Sequence, residues 1–375
     1  MKVVVALDSF KGSLSSMEAG RAVKAGILAA IPDASVVVKP LADGGEGTAD
    51  ALIEGLAGER IALTVTGPLG QPVSSCYGCL NQSSTAVMEM AAAAGITLVS
   101  PDKKDPLAAS TYGVGEMIND AISRGLRDFI IGIGGSATND GGIGMLKALG
   151  FRFLDRDGQD VGEGAQALAK VASIDTKGRN PLLSQCRFRI ACDVTNPLCG
   201  KNGATYIYGP QKGVADDMLE DLDNAMAHYA AVVSGTLGSH FTDTPGAGAA
   251  GGLGFAFLSF LNASLTPGIE LILKATGLES KLSDADIVVT GEGRLDGQTA
   301  MGKAPVGVAR LAKKYGAKVI AFAGSVTKEA SACNQAGIDG YFPIVRGITT
   351  LEEAMKPDVA RENMAAAAEQ VFRIL

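Results

Sequence analysis

The sequence has 375 residues, which is enough for large buried cores, and two domains are the natural expectation at this length. Its net charge of −7 argues against broad nucleic-acid binding, and no apolar run reaches the roughly 18 residues of a membrane span. The 49 glycines and the absence of tryptophan are typical of an α/β fold with many backbone-lined turns. The N-terminal apolar run is too short for a signal peptide and the six cysteines are scattered, so a cytoplasmic protein with reduced cysteines is expected.

The first hundred residues begin with an alternation of strands and helices. Residues 2–7 predict a buried strand, and Ser15 with Glu18 forms a capping box that predicts a helix to about residue 30. Residues 35–41 predict a second strand, and Thr48 predicts the cap of a helix to residue 56. Polar loops at 8–13 and 42–47 follow the two strands. This order indicates a doubly wound sheet, in which ligands bind at the carboxyl ends of the strands.

The middle of the chain has a different pattern. Residues 61–90 alternate in polarity without a clear helix, which predicts antiparallel hairpins. Further on we expect a helix within 106–124, a buried strand ending at 131, a hairpin over 151–160, a strand over 188–194 and a helix over 215–237. A small-residue loop over 242–254 precedes an apolar helix over 255–261, and a helix then begins after Pro267 and Gly268.

The parallel-sheet pattern returns at residues 285–290. A loop over 291–303, a helix begun by Pro305, strands over 318–323 and 341–345, and helices at 328–336 and from 358 onwards complete the prediction. The predicted fold class is therefore α/β with two domains. A discontinuous doubly wound parallel domain comprises residues 1–66 and 284–375, and residues 67–283 form an inserted mixed α/β domain.

The most informative stretch is IGIGGSATNDGGIG, residues 131–144, which follows a predicted strand and precedes a predicted helix. Its glycines allow a ligand to approach the backbone closely, and successive N–H groups in such a loop suit a phosphate. The alternative is a tight turn whose polar residues cap the helix. Four more loops of similar character along the chain favour the functional interpretation.

Three other motifs are discounted. Residues 297–303 match GxxxxGK, but Ala304 stands where a P-loop needs Ser or Thr, although Lys303 can still meet a phosphate. Residues 246–251 match GxGxxG without a preceding strand, which argues against a dinucleotide site and favours a small-residue substrate or nucleotide loop, or a hinge. Cys76 and Cys79 form an isolated CxxC in an alternating stretch, for which a structural role is predicted rather than a zinc site.

Carboxylates and lysines are concentrated in the same glycine-rich loops. Any one loop carboxylate is usually just solvated, but several after predicted strands indicate a shared cleft with magnesium and a general base. The lysines suit phosphate oxygens or a substrate carboxylate. This combination is what phosphoryl transfer requires. The carboxylates are Asp43, Glu46, Asp193, Glu292 and Asp296, and the lysines are Lys11, Lys201, Lys212 and Lys303.

Seven motifs together resemble the bacterial type-1 glycerate kinase family: DSFKGS (8–13), ADGGEGT (42–48), GIGGSATNDGG (132–142), ACDVTNPLCG (191–200), GPQKG (209–213), GAGAAGGLG (246–254) and TGEGRLDGQTAMGKAP (290–305). They span nearly the whole chain. The resemblance implies ATP-dependent phosphorylation of D-glycerate, with 2-phosphoglycerate as the usual product. It also implies a flavodoxin-like domain and a second α/β domain with a restriction-endonuclease-like core.

With this resemblance, roles are assigned to loop residues around a cleft predicted between the domains. The catalytic candidates are Asp43, Glu46, Asp193 and Lys11. The substrate-binding candidates are Ser9, Ser13, Gln211 and Lys212. The ATP-binding candidates are Gly134, Gly135, Ser136, Thr138, Asn139, Asp140, Glu292 and Lys303. Asp193 and Asp296 are the candidate Mg²⁺ ligands.

Alternatives remain open for the reaction. The product could be 3-phosphoglycerate, or the substrate could be another small hydroxy acid. A weaker likeness connects GIGGSATND to the phosphate loop of the galactokinase–mevalonate kinase group, which lacks this N-terminal strand–helix order. A nucleotide-sensing protein without catalysis is the alternative from another class. No nucleic-acid or membrane partner is expected, and the sequence leaves a monomer and a homodimer equally open.

Overall fold

The computed structural model describes residues 1–45, 47–80 and 83–375. Its strands are β1 (Lys2–Val5), β2 (Ser35–Val38), β3 (Glu59–Thr66), β4 (Pro72–Leu80), β5 (Thr85–Glu89), β6 (Asp128–Gly132), β7 (Arg152–Leu154), β8 (Ser173–Asp175), β9 (Arg187–Ala191), β10 (Ser264–Thr266), β11 (Ile287–Leu295), β12 (Lys318–Val326) and β13 (Gly340–Pro343). Its helices are α1 (Ser16–Ala30), α2 (Thr48–Gly55), α3 (Ala91–Ala94), α4 (Tyr112–Ser123), α5 (Ile143–Ala148), α6 (Ala204–Tyr208), α7 (Leu219–Leu237), α8 (Ala249–Leu261), α9 (Gly268–Ala275), α10 (Glu279–Leu282), α11 (Gly297–Ala300), α12 (Ala304–Lys313), α13 (Ala332–Gln335), α14 (Leu351–Met355) and α15 (Pro357–Phe372). Short 3-10 helices lie at Ile96–Leu98, Pro101–Lys103, Ala165–Lys170, Pro181–Gln185, Pro210–Lys212, Asp216–Met218 and Lys328–Ser331.

The chain divides into two units, and the first of them is discontinuous. The first unit contains Met1–Asp43, Asp50–Ala57 and Ile269–Leu375, and the second contains Gly44–Ala49 and Gly58–Gly268. These boundaries differ from the predicted ones at 66 and 284. Residues 59–66 belong to the second unit because β3 pairs with β4, and residues 269–283 belong to the first unit.

The first unit is built on a parallel sheet with the order β13-β12-β11-β1-β2. Each neighbouring pair is parallel, and Val5 of β1 is aligned with Val289 of β11 on one side and Val38 of β2 on the other. The chain first adds β2 on one side of β1 and later adds β11, β12 and β13 on the other side. The winding therefore reverses between β1 and β11, which is where open α/β sheets bind ligands at the carboxyl ends of their strands.

Helix α1 shows how local sequence and packing agree in this unit. Ser15 accepts a hydrogen bond from the backbone of Glu18, and the Glu18 carboxylate accepts one from the backbone of Ser15. The predicted capping box is thus confirmed. The helix packs so closely against α15 that a Cβ at Gly26 would lie 2.1 Å from the carbonyl oxygen of Ala365. Glycine is therefore required at that contact.

The second unit contains a mixed sheet with the order β10-β9-β6-β5-β4-β3. Strands β3, β4 and β5 are joined antiparallel, which confirms the hairpins predicted for residues 61–90. Strands β5, β6, β9 and β10 run parallel. The rings of Phe129 and Phe188 stack at 4.8 Å on adjacent strands in its core. Because β6 and β9 are parallel neighbours, the loops that follow them leave the same edge of the sheet.

Several predicted elements differ in extent: β9 ends at Ala191, β12 continues to Val326, α11 lies inside the predicted loop over 291–303, and α8 begins inside the predicted loop over 242–254. Two further differences concern strand pairing. Strand β11 continues to Leu295 rather than ending at residue 290, because Glu292 and Arg294 keep their pairing with β12. The hairpin predicted over 151–160 is present but short: the N–H of Asp155 donates to the carbonyl of Gln159, and Leu154 forms an antiparallel bridge with Asp160. The pairing of β7 with β8, which was not predicted, is additional. Both differences arise from partners distant in sequence. In the part of the chain that the structure describes, no helix has both the length and the apolar character needed to cross a membrane.

Candidate functional site

A cavity of about 260 Å³ lies in the second unit, where the loops after β6 and β9 come together. The beginning of α8 and the segment around residues 208–212 complete its lining. The lining residues are Gly44, Gly45, Ile96, Ile133, Gly134, Gly135, Ser136, Ala191, Cys192, Asp193, Val194, Tyr208, Gln211, Lys212, Ala249 and Ala250. Residues predicted separately as ATP-binding, metal-binding and substrate-binding therefore line one cavity.

The glycine-rich loop presents backbone to this cavity. Gly134 and Gly135 are exposed, and Gly135 has a φ of +71°, a conformation that favours glycine. Behind the loop, a Cβ at Gly251 would lie 2.1 Å from the carbonyl oxygen of Thr138. The N–H of Gly141 donates to the carbonyl of Gly251 at 2.9 Å. The loop is thus supported by direct backbone contact with Gly251, where a side chain would not fit.

The second half of the same motif points into the protein. Thr138, Asn139 and Asp140 are fully buried and do not line the cavity. The Asp140 carboxylate accepts from the N–H and the hydroxyl of Thr111, both at 2.8 Å, and from the N–H groups of Gly142 and Gly144. Burial raises the pKa of Asp140, and these hydrogen bonds oppose that rise. Its carboxylate fixes the loop to the start of α4, a position that differs from the phosphate contact predicted for it.

Lys212 is the buried cation of the cavity. Its side chain is 2% exposed, and Nζ donates to the carbonyl oxygen of Thr138 at 2.6 Å. Burial lowers the pKa of Lys212 to about 7, and the charge of Asp140 opposes the lowering. Lys212 also lines a neighbouring cavity of about 10 Å³ together with Lys104 and Asp105. A lysine in this position can provide charge to an anion in the larger cavity.

Asp193 lies on the exposed side of the same cavity, directly after β9. Its Oδ1 accepts from the N–H of Gly268 at 2.9 Å. Within residues 1–45, 47–80 and 83–375, no group of three or more His, Cys, Asp or Glu residues is arranged to hold a metal ion. A carboxylate such as Asp193 nevertheless fits Mg²⁺, which typically takes one or two protein carboxylates together with phosphate oxygens and water.

In the first unit, carboxylates gather at the carboxyl ends of the strands. The backbone N–H of Asp8 donates to the carbonyl of Gly291, which places Asp8 next to Glu292 at the reversal between β1 and β11. The Asp8 side chain is 6% exposed and Oδ1 accepts from the N–H of Ser9 at 2.7 Å. Burial raises the pKa of Asp8 to about 7, with further contributions from the charges of Asp43 and Glu292.

Glu292 and Asp296 are engaged with the short helix α11. Glu292 accepts from the hydroxyl of Thr299 at 2.6 Å, and burial raises its pKa while the charge of Lys303 lowers it. Asp296 caps α11, because its Oδ1 accepts from the N–H groups of Gln298 and Thr299. One oxygen of this candidate metal ligand is therefore already used as a helix cap. Lys303 lies half-buried just before α12.

The remaining predicted residues of the first unit follow β1. Lys11 is exposed in a tight turn closed by the N–H of Phe10, which donates to the carbonyl of Leu14. The buried hydroxyl of Ser13 has no hydrogen-bond partner among the residues that the structure describes. Ser9 contributes its backbone N–H to Asp8. Glu46 lies outside the described residues.

Comparison with known proteins decides the family. The model of the glycerate kinase family matches residues 3–375. The chain belongs to the glycerate kinase family. A glycerate kinase of Bacillus subtilis is 48% identical over 99% of this chain and 97% of its own, and a glycerate 2-kinase of Escherichia coli is 46% identical over 100% and 98%. A crystal structure of a protein provisionally assigned as glycerate kinase 2, from Salmonella typhimurium LT2, matches with a TM-score of 0.92 and 46% identity over 99% of this chain and 97% of that one.

The predicted family and the α/β architecture with parallel and mixed sheets are thereby confirmed. The structure also brings residues to the glycerate kinase cavity that the sequence did not single out, among them Tyr208, Cys192 and Ala250. The Tyr208 hydroxyl donates to Asn196 at 2.6 Å. Asp8 was likewise not named as a site residue, although its place directly after the first buried strand was a signal for it. Cys192 and Ala250 lie in the motifs at 191–200 and 246–254, which were signals for them, whereas Tyr208 had none because its position depends on distant loops.

Proposed function

We propose that this chain transfers the γ-phosphoryl group of ATP to D-glycerate and gives 2-phospho-D-glycerate and ADP. The observation that carries the proposal is the cavity shared by the glycine-rich loop, Asp193 and Lys212, in a chain of the glycerate kinase family. The name of the E. coli relative, glycerate 2-kinase, supports the 2-position. Phosphorylation at the 3-position, or of another small hydroxy acid, is the alternative.

The size of the cavity favours the acid over the whole nucleotide. Its 260 Å³ is slightly below the roughly 300–1,000 Å³ of pockets that enclose drug-sized ligands. Lys212 uses one of three possible donors on the Thr138 carbonyl, so two donors remain for a carboxylate. We assign Lys212 to the glycerate carboxylate, with Gln211 beside it. Ser9 and Ser13 keep the substrate-binding roles, and Lys11 keeps the catalytic role, that are proposed from the sequence.

Gly134, Gly135 and Ser136 are assigned to the phosphoryl group that is transferred. The exposed backbone of Gly134 and Gly135, with Gly135 in the left-handed region, suits phosphate oxygens, because successive N–H groups in such a loop can bind an anion. Lys303 and Glu292 keep their proposed roles near ATP. The burial of Thr138, Asn139 and Asp140 supports an indirect role for them, in which they hold the loop that contacts the phosphoryl group.

Asp193 is the residue proposed to hold Mg²⁺ at the cavity, and Asp296, whose Oδ2 lies 3.9 Å from Nε of Arg294, stays the metal-ligand candidate of the first unit. Bound magnesium would neutralise charge on the phosphate oxygens. In the transfer, a bond forms between the C2 hydroxyl oxygen of glycerate and the γ-phosphorus while the bond to the ADP oxygen breaks. The hydroxyl proton leaves to a carboxylate. Asp43 or Glu46 is proposed to orient that hydroxyl, which is supported by Gly44 and Gly45, directly after Asp43, lining the cavity.

We also propose fold-family names for the two units. Numbered within the first unit, its strand order is 2-1-3-4-5, which supports a flavodoxin-like sheet. The mixed sheet of the second unit agrees with a restriction-endonuclease-like core, as expected from the family resemblance.

The test is ADP release by the purified protein with Mg²⁺, ATP and D-glycerate, followed by phosphorus NMR of the product. Glycerate-dependent ADP with a 2-phosphate ester supports the proposal. A 3-phosphate ester would retain the kinase and overturn the proposed orientation of the acid. Turnover only with another hydroxy acid would overturn the substrate. ATP binding without turnover on any of these acids would favour a nucleotide sensor.

A further inference from the structure

Ala250 has a backbone conformation that is unusual for alanine. Its φ and ψ are +53° and +40°, and the next two residues, Gly251 and Gly252, are left-handed as well. This run interrupts α8 near its beginning and turns the chain beside the cavity. Residues other than Gly, Asn and Asp rarely adopt this region, because in an L-residue the Cβ approaches the carbonyl oxygen. A glycine would adopt it without that strain.

The surroundings explain the two glycines that follow. A Cβ at Gly251 would lie 2.1 Å from the Thr138 carbonyl oxygen, and one at Gly252 would lie 2.9 Å from Cα of Gly141. Both positions therefore exclude side chains. Ala250 differs because it lines the cavity next to Ala249 and is only partly buried, whereas neither glycine lines the cavity. The chain carries a methyl group at the one position of this left-handed run that borders the cavity.

Strain that is retained at a binding cavity indicates a function of the strained residue. We infer that Ala250 limits the size of the acid accepted by the cavity. Its methyl group occupies space that a fourth carbon of a larger hydroxy acid would need. A cavity wall of apolar contacts typically discriminates one added methyl group by about 10- to 200-fold in kcat/KM. The inference rests on the proposed glycerate kinase activity and concerns only its selectivity.

The experiment exchanges one methyl group between protein and substrate. A250G is assayed with D-glycerate and with two larger acids, 2,3-dihydroxybutanoate and 2-methylglycerate, which carry the added methyl on C3 and C2. For at least one of them we expect kcat/KM relative to glycerate to rise tenfold or more over the wild type. The thermal midpoint of A250G should not fall, because the strained residue is replaced by glycine. ADP release and phosphorus NMR of the product are the readouts.

The matched control is A57G. Ala57 also has a positive φ, +52°, but it is exposed after α2 and does not line the cavity. Its replacement should leave the selectivity of the wild type unchanged. A second variant, A250S, keeps a side chain at the wall and adds an oxygen atom. It should raise the KM for glycerate at least threefold without improving use of the larger acids.

The outcomes separate the two proposals. If the wild type does not phosphorylate glycerate, the proposed function fails before selectivity is considered. If the wild type is active and folded A250G handles neither larger acid better, the role of Ala250 is overturned. An equal change of selectivity in A57G would also overturn it, because the effect would then follow from backbone strain in general. An unchanged glycerate KM in A250S would overturn it independently.

Discussion

Replacing Lys212 with methionine should make the protein more stable while it removes activity. Burial lowers the pKa of Lys212 from an ordinary 10.5 to about 7, which corresponds to a cost of roughly 4–5 kcal/mol for the charged side chain in the folded state. Methionine has a similar length and no charge. It leaves the Thr138 carbonyl without the donor at 2.6 Å, at a cost of about 1–3 kcal/mol. The net expectation is a gain of roughly 2 kcal/mol.

The size of this gain in stability depends on pH. The lowered pKa means that the unfolded chain binds more protons at this residue than the folded chain between pH 7 and 10.5. The cost of the buried charge is therefore full below about pH 7 and disappears as the pH rises to 10.5. In urea unfolding, the free energy of unfolding of K212M should exceed that of the wild type by more at pH 6.5 than at pH 9. Extrapolated free energies of unfolding and the urea midpoints are the measurements.

The control is K104M, because Lys104 also donates Nζ to a carbonyl, that of Gln211 at 2.8 Å, but is only half-buried. It should give no gain in stability.

K212M should lower kcat/KM for glycerate by roughly a hundredfold or more, since a buried carboxylate would lose its cationic partner. For the wild type, glycerate affinity should weaken as the pH rises above 7, because binding requires the protonated lysine. A less stable K212M at pH 6.5, or a glycerate affinity that is flat from pH 6 to 8.5, would refute the reasoning.

Three further predictions follow from single contacts. D193N should lower turnover by roughly 100-fold or more with an unchanged thermal midpoint, and near-normal activity would exclude its proposed metal role. G251A should destabilise the protein by about 2 kcal/mol or more and lower its activity, because its Cβ would lie 2.1 Å from the Thr138 carbonyl oxygen. Urea unfolding measures the loss of stability, and ADP release measures the loss of activity. S15A should cost about 1 kcal/mol of stability in urea unfolding through the lost cap of α1 and leave activity intact, so a stability equal to the wild type would contradict the capping argument.

Local signals allowed much of the fold to be predicted. The capping box at Ser15 and Glu18 located α1, and the apolar run at residues 2–7 located β1, because both depend on neighbours in sequence. Sites after strands were predictable as well, since the loops that follow parallel strands leave the same sheet edge. The extension of β11 and the pairing of β7 with β8 were not predictable, because their partners are far along the chain.

The glycine-rich motif shows the limit of sequence reasoning within one site. Ser136, Asp140 and their neighbours were all predicted to contact ATP, since a loop has no periodicity that tells inward from outward side chains. In the structure, residues 134–136 line the cavity and residues 138–140 are buried. Gly251 and Gly252 contact the buried part of the loop, at Thr138, Asn139 and Gly141. That contact joins segments more than 100 residues apart, and no local pattern indicates it.

Several unfavourable features surround the same cavity. Lys212 is a buried cation, Ala250 is a strained alanine, and the side-chain oxygens Oγ1 of Thr138 and Oδ1 of Asn139 are buried without partners among the described residues. Each such feature costs stability, and a sequence selected only for folding would remove them. Lys212 and Ala250 line the cavity, and Thr138 and Asn139 belong to the buried half of its glycine-rich loop, so these costs are retained at the site that the proposed function uses. On this argument, stabilising substitutions should be found at these positions more readily than elsewhere in the second unit, and those substitutions should lower activity or selectivity.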